Sequence, residues 1–361
     1  MRKVRTMKNK LTELRKEIDK IDSSIIRLLN ERGRASSTIG EIKTAKKQPA
    51  YAPDRESQVY RRLSGKNRGP LRDGSIKAIY GEIMSACLSL ERPLTVAYLG
   101  PELTFTHQVS LKKFGSSVDY MPCNSIREVF CEVEKGSADY GVVPVENSIE
   151  GAVNHTMDMF VESEIFICSE VYFRVRHSLL GRARSKKSVT QVYSKPEVFG
   201  QCRLWLEKNM PLVRLRESSS TAKAAEIVSK NKRSACIASE LAAKRYGLKV
   251  LARSIEDSSN NVTRFLVIGT KASAPSGSDK TSVVFSVKDR PGVLHDMLSS
   301  FKKRGINLTK IESRPSKLQA WKYYFYVDME GHGESQKVKA ALSELHKKCT
   351  FLRVLGSYPK G

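Results

Sequence analysis

The chain has 361 residues, of which 40% are hydrophobic and 28% charged, values that exclude a disordered or collagen-like polymer and suggest two or three domains. Its 63 Lys and Arg against 38 Asp and Glu give a formal charge of +25. That excess is spread along the chain without a long basic tail, so small acidic ligands account for it better than nucleic acid does.

No apolar run reaches the roughly 18 residues of a membrane span, and no leader pattern opens the chain. The seven cysteines form no CxxC pair and the six histidines no HExxH, so the expectation is no disulfide frame, no metal site, no cofactor and a reducing cytoplasm.

The first zone, about Asn9 to Glu91, carries no strand pattern. Leu11, Leu14, Ile18, Ile21, Ile25 and Leu28 recur at steps of three and four, predicting one long helix with an apolar stripe. Shorter helices are predicted over Asp54–Leu63 and Ser75–Leu90, divided by the breaker Gly65, Gly69, Pro70. The long helix overhangs such partners, and pairing with a second copy is the simplest way to cover it.

Within that helix, Arg32 and Lys43 fall within about 20° of each other at about 100° per residue, so they can converge on one ligand. Arg15 lies roughly 25 Å further along the axis and on another face. It reaches Arg32, Lys43 and Arg55 only from the opposite subunit of a dimer. Such a pocket suits a dicarboxylate, because guanidinium forks bind carboxylates in pairs and Lys adds a point charge. On spacing alone, a solvated basic face is the better description.

From Thr95 the period changes. Short apolar runs (Thr95–Leu99, Gly141–Val145, Thr190–Tyr193, Cys236–Ala238, Phe265–Ile268) alternate with helical stretches at Pro196–Lys208 and Thr221–Lys230, the pattern of an α/β sheet protein. A small-residue segment, Lys271–Asp279, reads as a linker. Beyond it the order is strand (Thr281–Val287), helix (Gly292–Lys303), strand (Asn307–Ser313), strand (Lys322–Met329), helix (Ser335–His346), strand (Phe351–Leu355). This is a βαββαβ, ferredoxin-like unit. The expected domains are therefore 1–92, 93–272 and 280–361.

Several motifs of the first zone agree in order: Leu14 to Asp19, Leu28 to Arg32, Ile39 to Lys43, Asp54 to Glu56 and Glu82 to Ala86. They resemble the all-helical chorismate mutase domain at the start of bacterial P-proteins. The resemblance implies an intertwined homodimer in which Arg15 crosses between subunits and Arg32 and Arg55 hold the carboxylates. Lys43 then meets the ether oxygen and Glu56 the substrate hydroxyl. Cys87 stands where Ser is common and Glu91 where many relatives have Gln. A pericyclic rearrangement needs no nucleophile; it needs the dianion held in its reactive conformer and the developing oxygen charge stabilised.

In the central zone, Gly100–His107, Val143–Ser148, Ser219–Thr221 and Asn261–Phe265 join polar groups to strand ends. Singly, each reads as turn or cap chemistry. Together they resemble prephenate dehydratase, chiefly in Thr263-Arg264-Phe265, Glu146-Asn147-Ser148 and Gln201-Cys202. The resemblance implies two α/β lobes like those of a periplasmic binding protein, with substrate in the cleft between them. Thr263 would assist departure of the ring hydroxyl and Arg264 would hold a carboxylate, beside Phe265. Glu146, Asn147 and Gln201 would orient the pocket, and Thr104, Thr106, Ser220 and Thr221 would contact carboxylates. The lone His107 and His155 are expected to be structural. Leu103 occupies the usual Gly of a GPxGTF turn; because Leu disfavours positive φ, a different turn shape is expected. Lys195 stands where His is frequent.

Gly292-Val293-Leu294 and Glu312-Ser313-Arg314-Pro315 resemble the effector motifs of the ACT regulatory domain, with Val293 in place of a common Ala. The implied effector is phenylalanine, seated against a glycine loop and a helix N-terminus. The expectation is thus a multidomain enzyme, all-α then two-lobed α/β then α+β. It would convert chorismate to prephenate and prephenate to phenylpyruvate under feedback control, with no membrane or nucleic-acid partner. The alternative is a monofunctional dehydratase whose helices serve only as a dimerisation arm.

Overall fold

The structure is a computed structural model that describes residues 2–316 and 323–361. The predicted strand start at Lys322 lies outside the described residues. Two compact units emerge: the first joins the chain up to Tyr51 with Asn67–Leu94 and Phe114–Asp119, and the second takes Ala52–Lys66, Thr95–Lys113 and Tyr120–Gly361.

The first unit rests on two helices. Helix α1 spans Arg2–Ala45, and its stripe is uncovered, with Leu11, Leu14, Ile18, Ile21, Ile25 and Leu28 between 46% and 55% exposed. Helix α2 (Pro53–Lys66) groups with the second unit, and α3 (Asp73–Glu91) packs along the C-terminal half of α1. Gly40 is what permits that approach, because a Cβ there would sit 2.6 Å from the Glu91 Cα.

The second unit contains three sheets. Their elements are β1 (Thr95–Leu99), α4 (Phe105–Phe114), β2 (Asp119–Cys123), α5 (Ile126–Glu134), β3 (Tyr140–Asn147), β4 (Gly151–Ala152), α6 (Asn154–Glu162) and β5 (Phe166–Arg174). Next come β6 (Ser178–Gly181), β7 (Gln191–Ser194), α7 (Pro196–Gln201), α8 (Arg203–Asn209), β8 (Arg214–Glu217), α9 (Thr221–Ser229), β9 (Ser234–Ala238), α10 (Glu240–Tyr246), β10 (Lys249–Ala252) and β11 (Val262–Gly269). The last are β12 (Asp279–Ser286), α11 (Val293–Lys302), β13 (Leu308–Pro315), β14 (Tyr323–Glu330), α12 (Gln336–His346) and β15 (Phe351–Pro359).

The first sheet runs β2-β1-β3-β11-β5 with β4 on β3, and the second runs β10-β6-β9-β7-β8. These are the two α/β lobes, each with its own apolar core. The late strand β11 returns to the first sheet and pairs antiparallel with both β3 and β5. The third sheet, β13-β14-β12-β15, is wholly antiparallel and packs α11 and α12 on a core of Val283, Phe285, Met297, Phe301 and Leu345. Its βαββαβ order is the one expected.

Two local expectations need correction. The stretch Pro196–Lys208 is two helices, broken at Cys202. The Asp257 carboxylate accepts the Leu204 and Trp205 N–H groups at 2.9 and 3.0 Å, a cap supplied from a distant loop that local propensity cannot show. The segment Lys271–Asp279 is no free linker: Ser273, Ser276 and Asp279 are buried, and Asp279 accepts from the Ser276 and Gly277 N–H groups. Strand β12 therefore begins at Asp279 rather than Thr281.

Candidate active sites

In the first unit, Arg32 and Lys43 lie on α1, and Cys87 and Glu91 lie on α3. Lys43 Nζ donates to Glu91 Oε2 at 2.8 Å and to the Ala50 carbonyl at 2.6 Å. Arg32 Nη1 is buried with no hydrogen-bond partner, a guanidinium donor left open to an anion. Cys87 is buried, while Arg15 is exposed far along α1. A groove of about 580 Å³ between α1 and α3, lined by residues including Leu29, Gly33, Ile83 and Leu90, contains Cys87 but none of the candidate cations. Arg55 and Glu56 sit on α2, in the second unit, where Glu56 pairs with Lys113 at 2.6 Å.

In the second unit the register of β3 and β11 sets Thr263 opposite Asn147. Asn147 Oδ1 accepts the Ile149 and Glu150 N–H groups at 2.9 and 3.1 Å, which fixes the amide so that Nδ2 faces Thr263. That Nδ2 donates to Thr263 Oγ1 and to Asn261 Oδ1, both at 2.8 Å. Asn261 Nδ2 in turn donates to Gln201 Oε1 at 2.9 Å, and Gln201 Nε2 donates to Glu150 at 3.3 Å. Thr263 Oγ1 is thus an acceptor within the protein, and its own O–H remains a donor for a ligand. Gln201 is the last residue of α7, directly before the break at Cys202.

The neighbouring residue faces the other way. Arg264 is buried, with Nε on Glu170 at 2.8 Å, Nη1 on Asp328 at 2.5 Å and Nη2 on the Tyr358 hydroxyl at 2.9 Å. The carboxylates it holds are the protein's own, which corrects the expectation that it takes a substrate carboxylate. Tyr358, Asp328 and Glu170 hold its pKa above the ordinary value, although burial pulls the other way. Glu146 faces Lys310 at 3.0 Å and Arg264 at 3.9 Å, and Phe265 is part of the core.

The remaining candidates divide similarly. Ser220 Oγ accepts the Lys223 N–H as the N-cap of α9, directly before the buried Thr221. Thr104 Oγ1 bonds to the Leu99 carbonyl at 3.2 Å, and Thr106 is buried in α4. Leu103 stands at φ +70°, so the expected change of turn shape does not occur; the residue takes up the strain and buries its side chain in the second lobe's core. Its N–H donates to His107 Nδ1 at 3.0 Å and the His107 ring stacks on Tyr98, so His107 is structural, while His155 is exposed on α6.

A further histidine belongs to the site. His177, absent from the sequence-based candidates, lies 1% exposed with Nε2 at 2.9 Å from Gln201 Oε1. It lies in no recognisable motif, and only the fold brings it to Gln201.

In the third sheet Gly292 adopts φ +75° as N-cap of α11, with Val293 and Leu294 in its first turn. Glu312, Ser313, Arg314 and Pro315 end the edge strand β13. Arg314 reaches α6, at 2.7 Å from Asn154 and 3.1 Å from Asp158. Among the described residues, no helix is long and apolar enough to cross a membrane.

Two α/β lobes with a hydroxyl-bearing relay at one sheet end, a βαββαβ module and a cationic helical unit have the architecture of a multidomain enzyme. Family models match accordingly: chorismate mutase type II over residues 14–92, prephenate dehydratase over 96–273 and the ACT domain over 281–347. The bifunctional chorismate mutase/prephenate dehydratase of Aquifex aeolicus is 53% identical over 97% of this chain and 98% of its own length. That of Stutzerimonas stutzeri is 45% identical over 98% of each. Among solved structures, the prephenate dehydratase of Arthrobacter aurescens in complex with L-Phe aligns with a TM-score of 0.68 at 33% identity, covering 74% of this chain and 90% of that one.

The chain belongs to the bifunctional chorismate mutase/prephenate dehydratase family. Because the full-length matches run through the helical segment, the monofunctional alternative falls away.

Proposed function

We propose that residues 1–92 turn chorismate into prephenate, that residues 93–272 turn prephenate into phenylpyruvate, and that residues 280–361 bind phenylalanine as a feedback inhibitor, all in the cytoplasm. Free cysteines throughout the described chain accord with that compartment. In the mutase step Arg32 and Arg55 hold the carboxylates, Lys43 stabilises the ether oxygen and Glu56 takes the hydroxyl. Arg15 enters from a second copy. What supports the dimer is the uncovered stripe on α1 and the groove beside it, which suits a helix of the partner copy.

In the dehydratase step the ring loses carbon dioxide and hydroxide and becomes aromatic. The Thr263 O–H hydrogen-bonds to the departing hydroxyl, and the electron pair left by decarboxylation enters the ring as the C–O bond breaks. Glu146, Asn147 and Gln201 orient the pocket, while Thr104, Thr106, Ser220 and Thr221 contact the carboxylates. The observation that carries the reading is that Asn147 occupies the acceptor side of Thr263 Oγ1 and leaves its proton available.

The test is to supply the purified protein with chorismate alone, with and without phenylalanine. Phenylpyruvate must form, its formation must slow with phenylalanine, and Thr263→Val must stop it at prephenate. Prephenate turnover by Thr263→Val at the native rate removes Thr263 from the chemistry.

A further inference from the structure

The hydrogen-bond relay behind Thr263 has a direction that can be read from both ends. At one end two backbone N–H groups bind Asn147 Oδ1, so its amino group must face Thr263 and Asn261. Asn261 therefore offers its own amino group to Gln201 Oε1. At the other end the Glu150 carboxylate can only accept, so Gln201 presents Nε2 to it and Oε1 inward. Each amide orientation is thus fixed by a partner whose role is unambiguous.

His177 Nε2 meets the same Gln201 Oε1 at 2.9 Å, and an oxygen flanked in this way requires an N–H. The ring is the Nε2–H tautomer. Its Nδ1 is buried without a hydrogen-bond partner, and burial moves the His177 pKa below its ordinary value, so the ring is neutral. The residue is itself rigid: its N–H donates to Glu256 at 2.8 Å, its carbonyl accepts from Ile255, and the ring meets Phe105 edge-on at 5.5 Å.

We propose that His177 is a positioning residue of the dehydratase: by donating Nε2–H to Gln201 it anchors the inner end of the Gln201–Asn261–Asn147 relay, and so the placement of the amide that keeps Thr263 a hydrogen-bond donor toward the leaving hydroxyl. Without that N–H, Gln201 Oε1 keeps one of its two donors and the side chain shifts about its remaining bonds, so Asn261 loses its fixed acceptor and the Asn147 amino group, still turned toward Thr263 by the Ile149 and Glu150 N–H groups, loses the second partner that sets its position. A misplacement near 1 Å at a reacting group lowers turnover by up to about 100-fold. The substrate carboxylates are held by other side chains, so binding is spared.

This inference rests on the assignment of Thr263 as the hydroxyl donor, and the experiment separates the two. His177→Phe keeps the ring and removes the donor; His177→Gln restores an N–H near the same place. The expected result is a fall in dehydratase kcat of roughly 10-fold to 100-fold for His177→Phe with KM within about twofold, and recovery to within about fivefold for His177→Gln. The mutase rate of each preparation reports folding. Thr263→Val is measured alongside. An inactive Thr263→Val with a fully active His177→Phe overturns the positioning role alone, whereas an active Thr263→Val overturns the site assignment. If His177→Phe does not fold, His177→Gln decides: near-native kcat upholds the proposal, and a folded but slow His177→Gln overturns it.

Discussion

Arg264 Nη1 stands 2.5 Å from Asp328 Oδ2, joining the strand that carries Thr263 to the central strand β14 of the βαββαβ module. Successive residues of a strand face opposite sides, so Thr263 serves the relay while Arg264 serves the module. Lys280 completes the cluster by contacting both Glu170 oxygens at 2.9 Å. Two buried cations thus face two buried carboxylates, and the Tyr358 hydroxyl bonds to Arg264. Through Asp328 of β14 and Tyr358 of β15, the residue adjacent in sequence to Thr263 is in direct contact with the module.

Asp328→Ala leaves the buried Arg264 guanidinium hydrogen-bonded to one carboxylate, Glu170, with Glu146 at 3.9 Å. Breaking a buried pair costs up to about 3–5 kcal/mol when the remaining charge is left uncompensated; Glu170 still faces Arg264, so the loss falls toward the lower end, about 3 kcal/mol. Thermal unfolding should show the second unit melting well below its native temperature. Asp328→Asn, which keeps a hydrogen-bond acceptor, should lose less. A melting curve unchanged by Asp328→Ala contradicts this account of the cluster.

Leu103→Gly sets two effects against each other. Relieving a non-glycine residue at φ +70° stabilises by about 1–2 kcal/mol. Removing a Leu side chain that is only 8% exposed, among Leu180, Ala222 and Ala238, costs more than the roughly 2–5 kcal/mol of a Leu→Ala change. Burial wins, so denaturant titration should find Leu103→Gly net destabilised by about 1–3 kcal/mol. A more stable Leu103→Gly protein would show that strain dominates at this turn.

The sequence is most legible where structure is local. The stripe from Leu11 to Leu28 made α1 plain, and the βαββαβ order followed from period and turn residues. Motif likeness found Thr263 and Asn147, which meet directly, and Gln201, which joins them through Asn261. What stayed hidden was set by distant partners: the Asp257 cap that splits Pro196–Lys208, the burial of Ser273 and Ser276, and the contact of His177 with Gln201. Arg264 was misread for the same reason, since its carboxylate partners are 94 and 64 residues away. Edge and short strands such as β2, β8 and β10 carry too little apolar alternation to stand out.

Glu91 tests the mutase assignment. Its carboxylate lies 2.8 Å from Lys43 Nζ, the cation assigned to the ether oxygen, and an ionised partner at that distance offsets the charge the transition state needs. Glu91→Gln keeps a hydrogen-bonding side chain, adds an N–H donor and removes the negative charge. Mutase kcat at neutral pH should rise by roughly tenfold, about 1.4 kcal/mol of barrier, with the dehydratase rate unchanged. Lys43→Ala should abolish mutase turnover in either background. A slower Glu91→Gln enzyme means the carboxylate itself supports the reaction.

Arg314 sits in the assigned effector segment yet pairs with Asp158 of α6, at 3.1 Å and with side-chain exposures of only 11% and 19%. It thereby ties β13 to the lobe that carries β3 and β11. Phenylalanine can inhibit only through a difference in its affinity for two arrangements of the protein, and a contact that differs between them shifts their balance. Asp158→Asn removes the charge from the α6 side without touching the effector segment. If the ion pair stabilises the active arrangement, losing about 1 kcal/mol of it favours the inhibited one and lowers the phenylalanine concentration for half-inhibition by roughly fivefold. Arg314→Ala removes the same pair together with the proposed effector contact, so it should weaken phenylalanine binding by calorimetry. An Asp158→Asn enzyme with native phenylalanine sensitivity would place the Arg314–Asp158 pair outside the regulatory equilibrium.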